Sequence, residues 1–162
     1  MIGRTLFPLL LVVLLGSVAD PRAGADTLAA FTQVGVSVAG VDFGAIYDTA
    51  ATYFGHGTIV ITAPAGAAFS IALSGGFHPD GDHRNLQRIG GRERIPYNLY
   101  SDAGCTIPWG DSDSSATFPS ARSVMGLGMG RDQPITTYGK LTLPALLPAG
   151  AYTDSVTVSI LY

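Results

Sequence analysis

Two histidines and two aspartates lie within six residues of one another, in the segment His78-Pro-Asp80-Gly-Asp82-His83. Imidazole nitrogens and carboxylate oxygens are common metal ligands, so this spacing raises the question of a metal site. The surrounding residues are rich in glycine, however, and aspartate and histidine in such segments are ordinarily solvated turn formers. Because a metal site also needs partners that fix its ligands, we predict a solvated loop and no metal here.

A second cluster, Asp111-Ser-Asp113-Ser-Ser, carries the oxygen ligands that calcium prefers. It lacks the glycine and the distal acidic residue that complete a helix-loop-helix calcium site. We therefore interpret this segment as a solvated loop too, and predict that the protein needs no cofactor.

Covalent catalysis needs a nucleophile held beside a base, and the sequence shows no motif that would do this. It contains no Gly-x-Ser-x-Gly, and no motif places the histidines His56, His78 and His83 beside a nucleophile. Cys105 is the only cysteine, and no basic residue lies within ten positions of it to activate it. We predict a partly buried structural thiol, with an intermolecular disulfide or a reactive thiol as alternatives. We predict that the protein is not an enzyme.

Arg84, Arg88, Arg92 and Arg94 form a mild basic cluster within a glycine-rich stretch. They could bind an anionic surface, but a solvated loop is the preferred interpretation, because such charges ordinarily lie on the surface. The whole chain has a formal net charge of −3. Without a basic stripe to neutralise phosphates, nucleic acid is not expected as a partner.

The first 25 residues have the organisation of a secretory signal peptide. Arg4 precedes the apolar run Leu6–Leu15, and Ala23–Ala25 has the small residues of a cleavage site. We predict cleavage after Ala25, which leaves residues 26–162 as one exported domain. About ten apolar residues are too few to span a bilayer, which takes about twenty, so no membrane span is expected.

Short alternating runs, separated by glycine and proline, dominate residues 26–162, and no helical period is convincing. About seven short strands with frequent turns predict an all-β sandwich. The runs that predict strands are Leu28–Val38, Thr58–Thr62, Ala68–Leu73, Ile95–Tyr100, Val124–Met129, Ile135–Leu143 and Tyr152–Tyr162. The Pro64-Ala65-Gly66 break predicts a hairpin or a sheet-to-sheet corner, and Ser74–Arg94 is expected to be a surface excursion.

The terminal run Tyr152–Tyr162 alternates with period two, which predicts a strand with one buried face. The residues on that face are Tyr152, Val156, Val158, Ile160 and Tyr162. We expect no later segment of the chain to pair with this strand. Its edge is therefore expected to be either an aggregation hazard or a docking site for another strand.

Six sequence pieces occur in a distinctive order along the chain. They are Phe43-Gly44, Gly57–Thr62, Ile95–Tyr100 with Asp102, Thr106–Asp111, Tyr138–Leu141 and Ala149–Asp154. In this order they resemble the spore coat protein U domain family, which includes the pilin subunits of archaic chaperone–usher pili. The residues that carry the resemblance are Phe43, Gly44, Tyr97, Tyr100, Asp102, Trp109, Gly110, Asp111, Tyr138, Gly139, Tyr152 and Asp154.

The resemblance implies an incomplete immunoglobulin-like sandwich that lacks its final strand. A periplasmic chaperone would lend a strand, and an outer-membrane usher would exchange it for the N-terminal segment of another pilin subunit. Such head-to-tail contacts do not close, so a cell-surface fibre results, with roles in adhesion or biofilm. The expected strand-accepting groove contains Val156, Val158, Ile160 and Tyr162. The donor-strand candidates are Leu28, Ala30, Val34, Val36 and Val38.

Two departures from the family pattern bear on this expectation. Family members commonly carry a disulfide, and the matching positions near Gly35 and at Ala63 have no cysteine. Only residues 26–42 precede Phe43-Gly44, which is short for a donor strand and a first strand together. The alternative is a self-complete secreted β-sandwich that binds a ligand or a surface, in which Leu28–Val38 folds back onto the terminal strand.

Overall fold

The computed structural model describes residues 4–5, 10–13, 34–46, 51–111, 121–144 and 146–162. Within these ranges the regular secondary structure is entirely β, which confirms the predicted all-β class. The twelve strands are β1 (Arg4–Thr5), β2 (Leu10–Val13), β3 (Gly35–Asp42), β4 (Ala45–Ile46), β5 (Thr52–Thr62), β6 (Ala68–Leu73), β7 (Arg84–Arg88), β8 (Arg94–Tyr100), β9 (Val124–Leu127), β10 (Asp132–Thr142), β11 (Tyr152–Thr153) and β12 (Ser155–Leu161).

Ten of these strands form two sheets that enclose one apolar core. The larger sheet has the order β11-β7-β8-β10-β5-β3, and the smaller has the order β2-β12-β6-β9, while β1 pairs with β4 alone. The core joins residues of both sheets, such as Ile59 and Leu141 from the larger and Ile71 and Val158 from the smaller. This is the predicted sandwich, because each sheet can bury an apolar face only against the other.

Strand β5 begins at Thr52, well before the predicted start at Thr58. Two of its early inward positions, Gly55 and Gly57, are glycines, and they interrupt the period-two apolar pattern of the sequence. A Cβ at Gly57 would lie 2.6 Å from the carbonyl oxygen of Ala39 on the neighbouring strand. Glycine is therefore required where the irregular part of β3 crosses close to β5.

The prediction that Ser74–Arg94 is a surface excursion is wrong for the second half of this segment, because that half contains β7. This strand lies inside the larger sheet, between β11 and β8. Arg84, Asn85 and Leu86 are all buried, so the predicted basic cluster does not share one surface. Arg88 forms an ion pair with Glu93, in which Nε of the arginine lies 3.0 Å from Oε2 of the glutamate.

The break at residues 64–66 separates strands that belong to different sheets, since β5 lies in the larger and β6 in the smaller. Of the two structures predicted for this break, the structure shows the sheet-to-sheet corner. The amide of Gly66 donates to the carbonyl oxygen of Gly128 at 2.8 Å, which fixes the corner against the residues that follow β9.

The candidate strand-accepting edge

The terminal run is not one continuous strand, contrary to the prediction. Tyr152 and Thr153 form β11 and pair with β7 in the larger sheet. Residues Ser155–Leu161 form β12 and pair with β6 in the smaller sheet. The chain therefore changes sheets at Asp154, which keeps the inward phase of the alternation although it is charged.

Asp154 fixes this crossing through bonds to both sides of the sandwich. Its carboxylate is buried and accepts a hydrogen bond of 2.7 Å from the hydroxyl of Tyr97 on β8. It also accepts a hydrogen bond of 2.9 Å from the backbone amide of Phe77, which follows β6. A buried carboxylate that accepts bonds from two elements defines where β12 begins, because either partner would be costly to leave unpaired.

Burial raises the pKa of the Asp154 carboxyl, and the hydrogen bonds from Tyr97 and Phe77 only partly oppose this. Burial and the neighbouring Asp154 also raise the pKa of Tyr97 well above its ordinary value. A carboxyl whose pKa is higher in the folded chain holds its proton more tightly there than in the unfolded chain. Its contribution to stability is therefore greatest in acid and falls as pH rises from about 3.9 through the folded pKa.

Replacing Asp154 with asparagine should remove this pH dependence. We expect the stability of the native chain relative to D154N to be greater at pH 4 than at pH 7, as measured by urea unfolding at both values. D80N is the control, since Asp80 is an exposed loop residue. Equal differences between native and D154N chains at the two pH values would contradict the assignment.

Arg84, in the larger sheet, holds the end of β6, the strand that pairs with β12 in the smaller sheet. From β7 this side chain donates to the carbonyl oxygens of Ser74 at 2.8 Å, of Leu73 at 3.2 Å and of Trp109 at 2.9 Å. Burial lowers the pKa of the guanidinium to about 10, so it remains charged at neutral pH. A buried cation in this position ties the end of β6 to the larger sheet.

Trp109 provides a second anchor for β6. Its side chain is fully buried in the core, and its indole Nε1 donates to the carbonyl oxygen of Ile71 at 3.0 Å. Its own backbone amide donates to Leu99 of β8 at 2.8 Å. The tryptophan therefore links β6 to the larger sheet through both its side chain and its backbone.

Strand β12 has backbone partners on both edges. On one edge it pairs with β6, where Val158 lies opposite Leu73. On the other it pairs in parallel with β2, where Val156 lies opposite Leu11 and Val158 opposite Val13. Among the described part of residues 34–162, no strand lies on this second edge. The strand that borders β12 there comes from residues 10–13, inside the predicted leader.

The predicted groove residues lie along β12 with decreasing burial. Val156 and Val158 are fully buried, Ile160 is partly buried against the core, and Tyr162 is 61% exposed. The deepest part of the candidate edge is therefore the inner half of β12, next to Asp154.

The donor-strand candidates divide into two groups. Val36 and Val38 lie in β3, opposite Ile61 and Ile59 of β5, so they belong to the chain's own larger sheet. Val34 is buried just before this strand. The alternative fold-back of this run onto the terminal strand is absent for residues 35–38, which pair with β5. Leu28 and Ala30 lie outside the described residues.

Several residues of the family pattern lie in the core and the turns of the sandwich. The rings of Phe43 and Tyr97 meet edge to face, with centroids 6.1 Å apart. Gly139 leaves room for them, because a Cβ there would lie 2.7 Å from Cζ of Phe43. The amide of Gly44 donates to the Asp42 side chain at 2.8 Å, and the Tyr152 hydroxyl donates to the carbonyl oxygen of Pro148 at 2.8 Å.

Asp102 organises the loop that carries Trp109. Its carboxylate accepts backbone hydrogen bonds from Ile107 at 2.7 Å and from Thr106 at 3.0 Å, which lower its pKa. Gly110 and Asp111 follow Trp109, and the Gly110 carbonyl accepts from the amide of Leu73 at 3.2 Å. The remaining two pattern residues, Tyr100 and Tyr138, are half-buried partners across β8 and β10.

The two histidines first considered as metal ligands contact other side chains, while residues 112–115 of the second cluster lie outside the described residues. Nδ1 of His78 lies 3.1 Å from the Arg94 guanidinium, and Nδ1 of His83 lies 3.3 Å from the Asn98 side-chain amide. The backbones of Asp80 and His83 close a turn. In the described ranges, no three histidine, cysteine or acidic side chains gather as a metal site would require.

Cys105, for which partial burial was predicted, is buried. Burial raises the pKa of this thiol, which disfavours the reactive thiolate. Over the residues described, no helix is long and apolar enough to cross a bilayer.

Comparisons with known proteins agree with this architecture. The family model of the Spore Coat Protein U domain matches residues 26–159. "Protein U" of Myxococcus xanthus is 24% identical over 115 residues, which cover 67% of this chain and 60% of that protein. One chain of the CsuC–CsuE chaperone–tip adhesion subunit pre-assembly complex, from archaic chaperone-usher Csu pili of Acinetobacter baumannii, is similar in fold. The TM-score is 0.54 at 14% identity, over 80% of this chain and 40% of that one. The chain thus spans less than two thirds of either relative.

Proposed function

Because the chain belongs to the Spore Coat Protein U domain family, we propose that it is a structural subunit of an extracellular pilus or fibre. Its assembly would proceed by donor-strand complementation, with a periplasmic chaperone and an outer-membrane usher as partners. No catalytic role is part of this proposal. The fibre would serve surface attachment or biofilm formation.

One observation carries the proposal, namely the composition of the smaller sheet. Its β12 edge is bordered only by residues 10–13 among the residues described. We propose that residues 1–25 are a signal peptide, removed after Ala25 during export. Cleavage would separate that bordering strand from the domain and leave the apolar inner half of β12 in need of another strand. An apolar strand edge of this kind is a template for strand addition.

The donor segment is best placed immediately before β3. Val36 and Val38 are already paired within their own subunit, and Val34 is buried in its core. Donation would therefore fall to residues 26–33, which include Leu28 and Ala30. Eight residues of extended chain span about 26 Å, which matches the length of about 23 Å for the seven residues of β12. With the donor before Val34 and the first strand after it, the few residues that precede Phe43-Gly44 can supply both without overlap.

The proposal predicts that residues 26–162 form multimers when purified without a chaperone. Multimers would survive mild detergent and dissociate on heating, as gel electrophoresis and light scattering can measure. Combining Leu28→Asp with Ala30→Asp should lower the multimer fraction about tenfold or more, because a charged donor cannot enter an apolar groove. Ala29→Asp is the matched control, since position 29 has the opposite strand phase.

A stable monomer of residues 26–162 with exchange-protected amides in β12 would contradict this function. That result would favour the second candidate, a self-complete secreted sandwich that binds a ligand or surface. A multimer fraction equally sensitive to Ala29→Asp would contradict the assigned donor phase.

A further inference from the structure

Two described segments near the start of the chain, residues 4–5 and 10–13, pair with the domain at two separate places. Strand β2 pairs in parallel with β12 over Ser155–Val158. Strand β1 pairs antiparallel with β4, where Arg4 lies opposite Ile46 and Thr5 opposite Ala45. The two ladders belong to different strands of the domain, so the leader is held at both ends of its described length.

The ladder covers the part of β12 that most needs a neighbour. Its register reaches Val156 and Val158, the two fully buried residues of the strand. The sequence of β2 is Leu-Leu-Val-Val. An apolar run is what export requires of a leader, and it is also what a half-buried sheet edge accepts. One segment can therefore meet both requirements.

We propose that Leu10–Val13 is an internal, removable occupant of the β12 edge in the uncleaved chain. Leader removal then controls when the edge becomes available to a strand from another protein. This regulation rests on the proposed function for what happens after cleavage. The contact between leader and edge stands independently of it.

The covalent link between β2 and the domain explains how a ladder of only four residue pairs can keep β2 on the edge of β12. A strand on the same chain acts at an effective concentration in the millimolar range. Cleavage turns it into a free peptide at the concentration of the protein, which lowers its effective concentration about a thousandfold for micromolar protein. An external strand competes poorly before the cut and readily after it.

The test compares residues 1–162 with residues 26–162, each refolded from denaturant at the same concentration. We expect at least about tenfold more monomer for the full chain, with β12 amides at residues 155–158 protected from hydrogen exchange. Leu11→Pro places a proline inside the ladder, where proline disfavours sheet pairing, and should behave like residues 26–162. Val18→Pro is the matched control, because the described ladder covers residues 10–13, and this chain should behave like the native full chain.

A second measurement tests the same contact if the Leu11→Pro chain refolds too poorly to be assayed. A synthetic peptide of residues 4–18, added to residues 26–162, should suppress multimers, whereas the same peptide carrying Leu11→Pro should not.

The possible failures are distinguishable. Equal multimer fractions for residues 1–162 and 26–162 would overturn the leader inference and leave the fibre proposal intact. A monomeric form of residues 26–162 would instead overturn the fibre proposal. Exchange at residues 155–158 would then decide the leader contact, which is refuted if Leu11→Pro leaves protection unchanged.

Discussion

Replacing Arg84 with alanine is expected to lower the free energy of unfolding by about 3–5 kcal/mol. The guanidinium is buried and donates to the carbonyl oxygens of Leu73, Ser74 and Trp109. Alanine would leave these three acceptors without their donor in a dry interior. Each lost bond to a charged donor costs about 1.5–3 kcal/mol, and relaxation around the smaller side chain offsets part of the sum.

The effect of Arg84 should extend to the candidate edge. Leu73 lies opposite Val158 in the ladder between β6 and β12, and the Ser74 amide donates to the carbonyl oxygen of Thr157 at 2.9 Å. Loosening the end of β6 therefore also loosens the inner half of β12. Relative to the native chain, we expect Arg84→Ala to increase the hydrogen-exchange rates of the amides at residues 155–158 more than those elsewhere in the sandwich.

Urea unfolding followed by fluorescence of Trp109, the only tryptophan, measures the change. Arg92→Ala is the control, because that side chain is exposed and its removal should cost within about 0.5 kcal/mol. Arg84→Lys should fall between the two, since an ammonium group cannot reproduce the planar fork of donors. Equal stability of the Arg84→Ala and Arg92→Ala chains would show that the buried guanidinium contributes nothing.

Replacing Trp109 with alanine should cost about 3–5 kcal/mol, the range for deleting a fully buried aromatic side chain. The substitution opens a cavity between the sheets and removes the donor to Ile71. Trp109→Phe should cost less, because the phenyl ring fills most of the space but leaves the Ile71 carbonyl without the indole donor. The difference between the two variants separates packing from hydrogen bonding.

Circular dichroism must report unfolding of the Trp109 variants, because the substitution deletes the fluorophore. Ile107→Ala is the control in the same loop, where the side chain is 51% exposed, and a small effect is expected there. A Trp109→Ala chain as stable as Ile107→Ala would refute the anchoring role given to the indole.

The sequence predicts those strands whose inward positions are apolar. The alternating runs 58–62, 68–73 and 95–100 lie in β5, β6 and β8, and the run 135–143 lies in β10 except for its last residue. They form strands because their period-two apolar residues face a common core. Strand β7 was missed because Arg84 and Asn85 at its start are polar and buried. Their burial depends on partners far along the chain, which no local pattern contains.

The sequence likewise predicts the residues of the candidate edge but not its place in the sheets. The alternation identified the residues of β12, but the change of sheet at Asp154 leaves that alternation undisturbed and cannot be read from it. The neighbour of β12 was missed because residues 10–13 were interpreted only as an export signal. Strand order is a property of the assembled sandwich, so the second use of this segment becomes visible only in the fold.

The change of sheet at Asp154 has a mechanical consequence for a fibre of the proposed kind. Ladder hydrogen bonds lie across the strand direction, so a pull along β12 loads them together in shear instead of opening them one by one. At Asp154 the load passes to Tyr97 and, through β11, to β7. Tension on the smaller sheet is thus shared with the larger one, and rupture at one edge would have to strain both layers of the subunit.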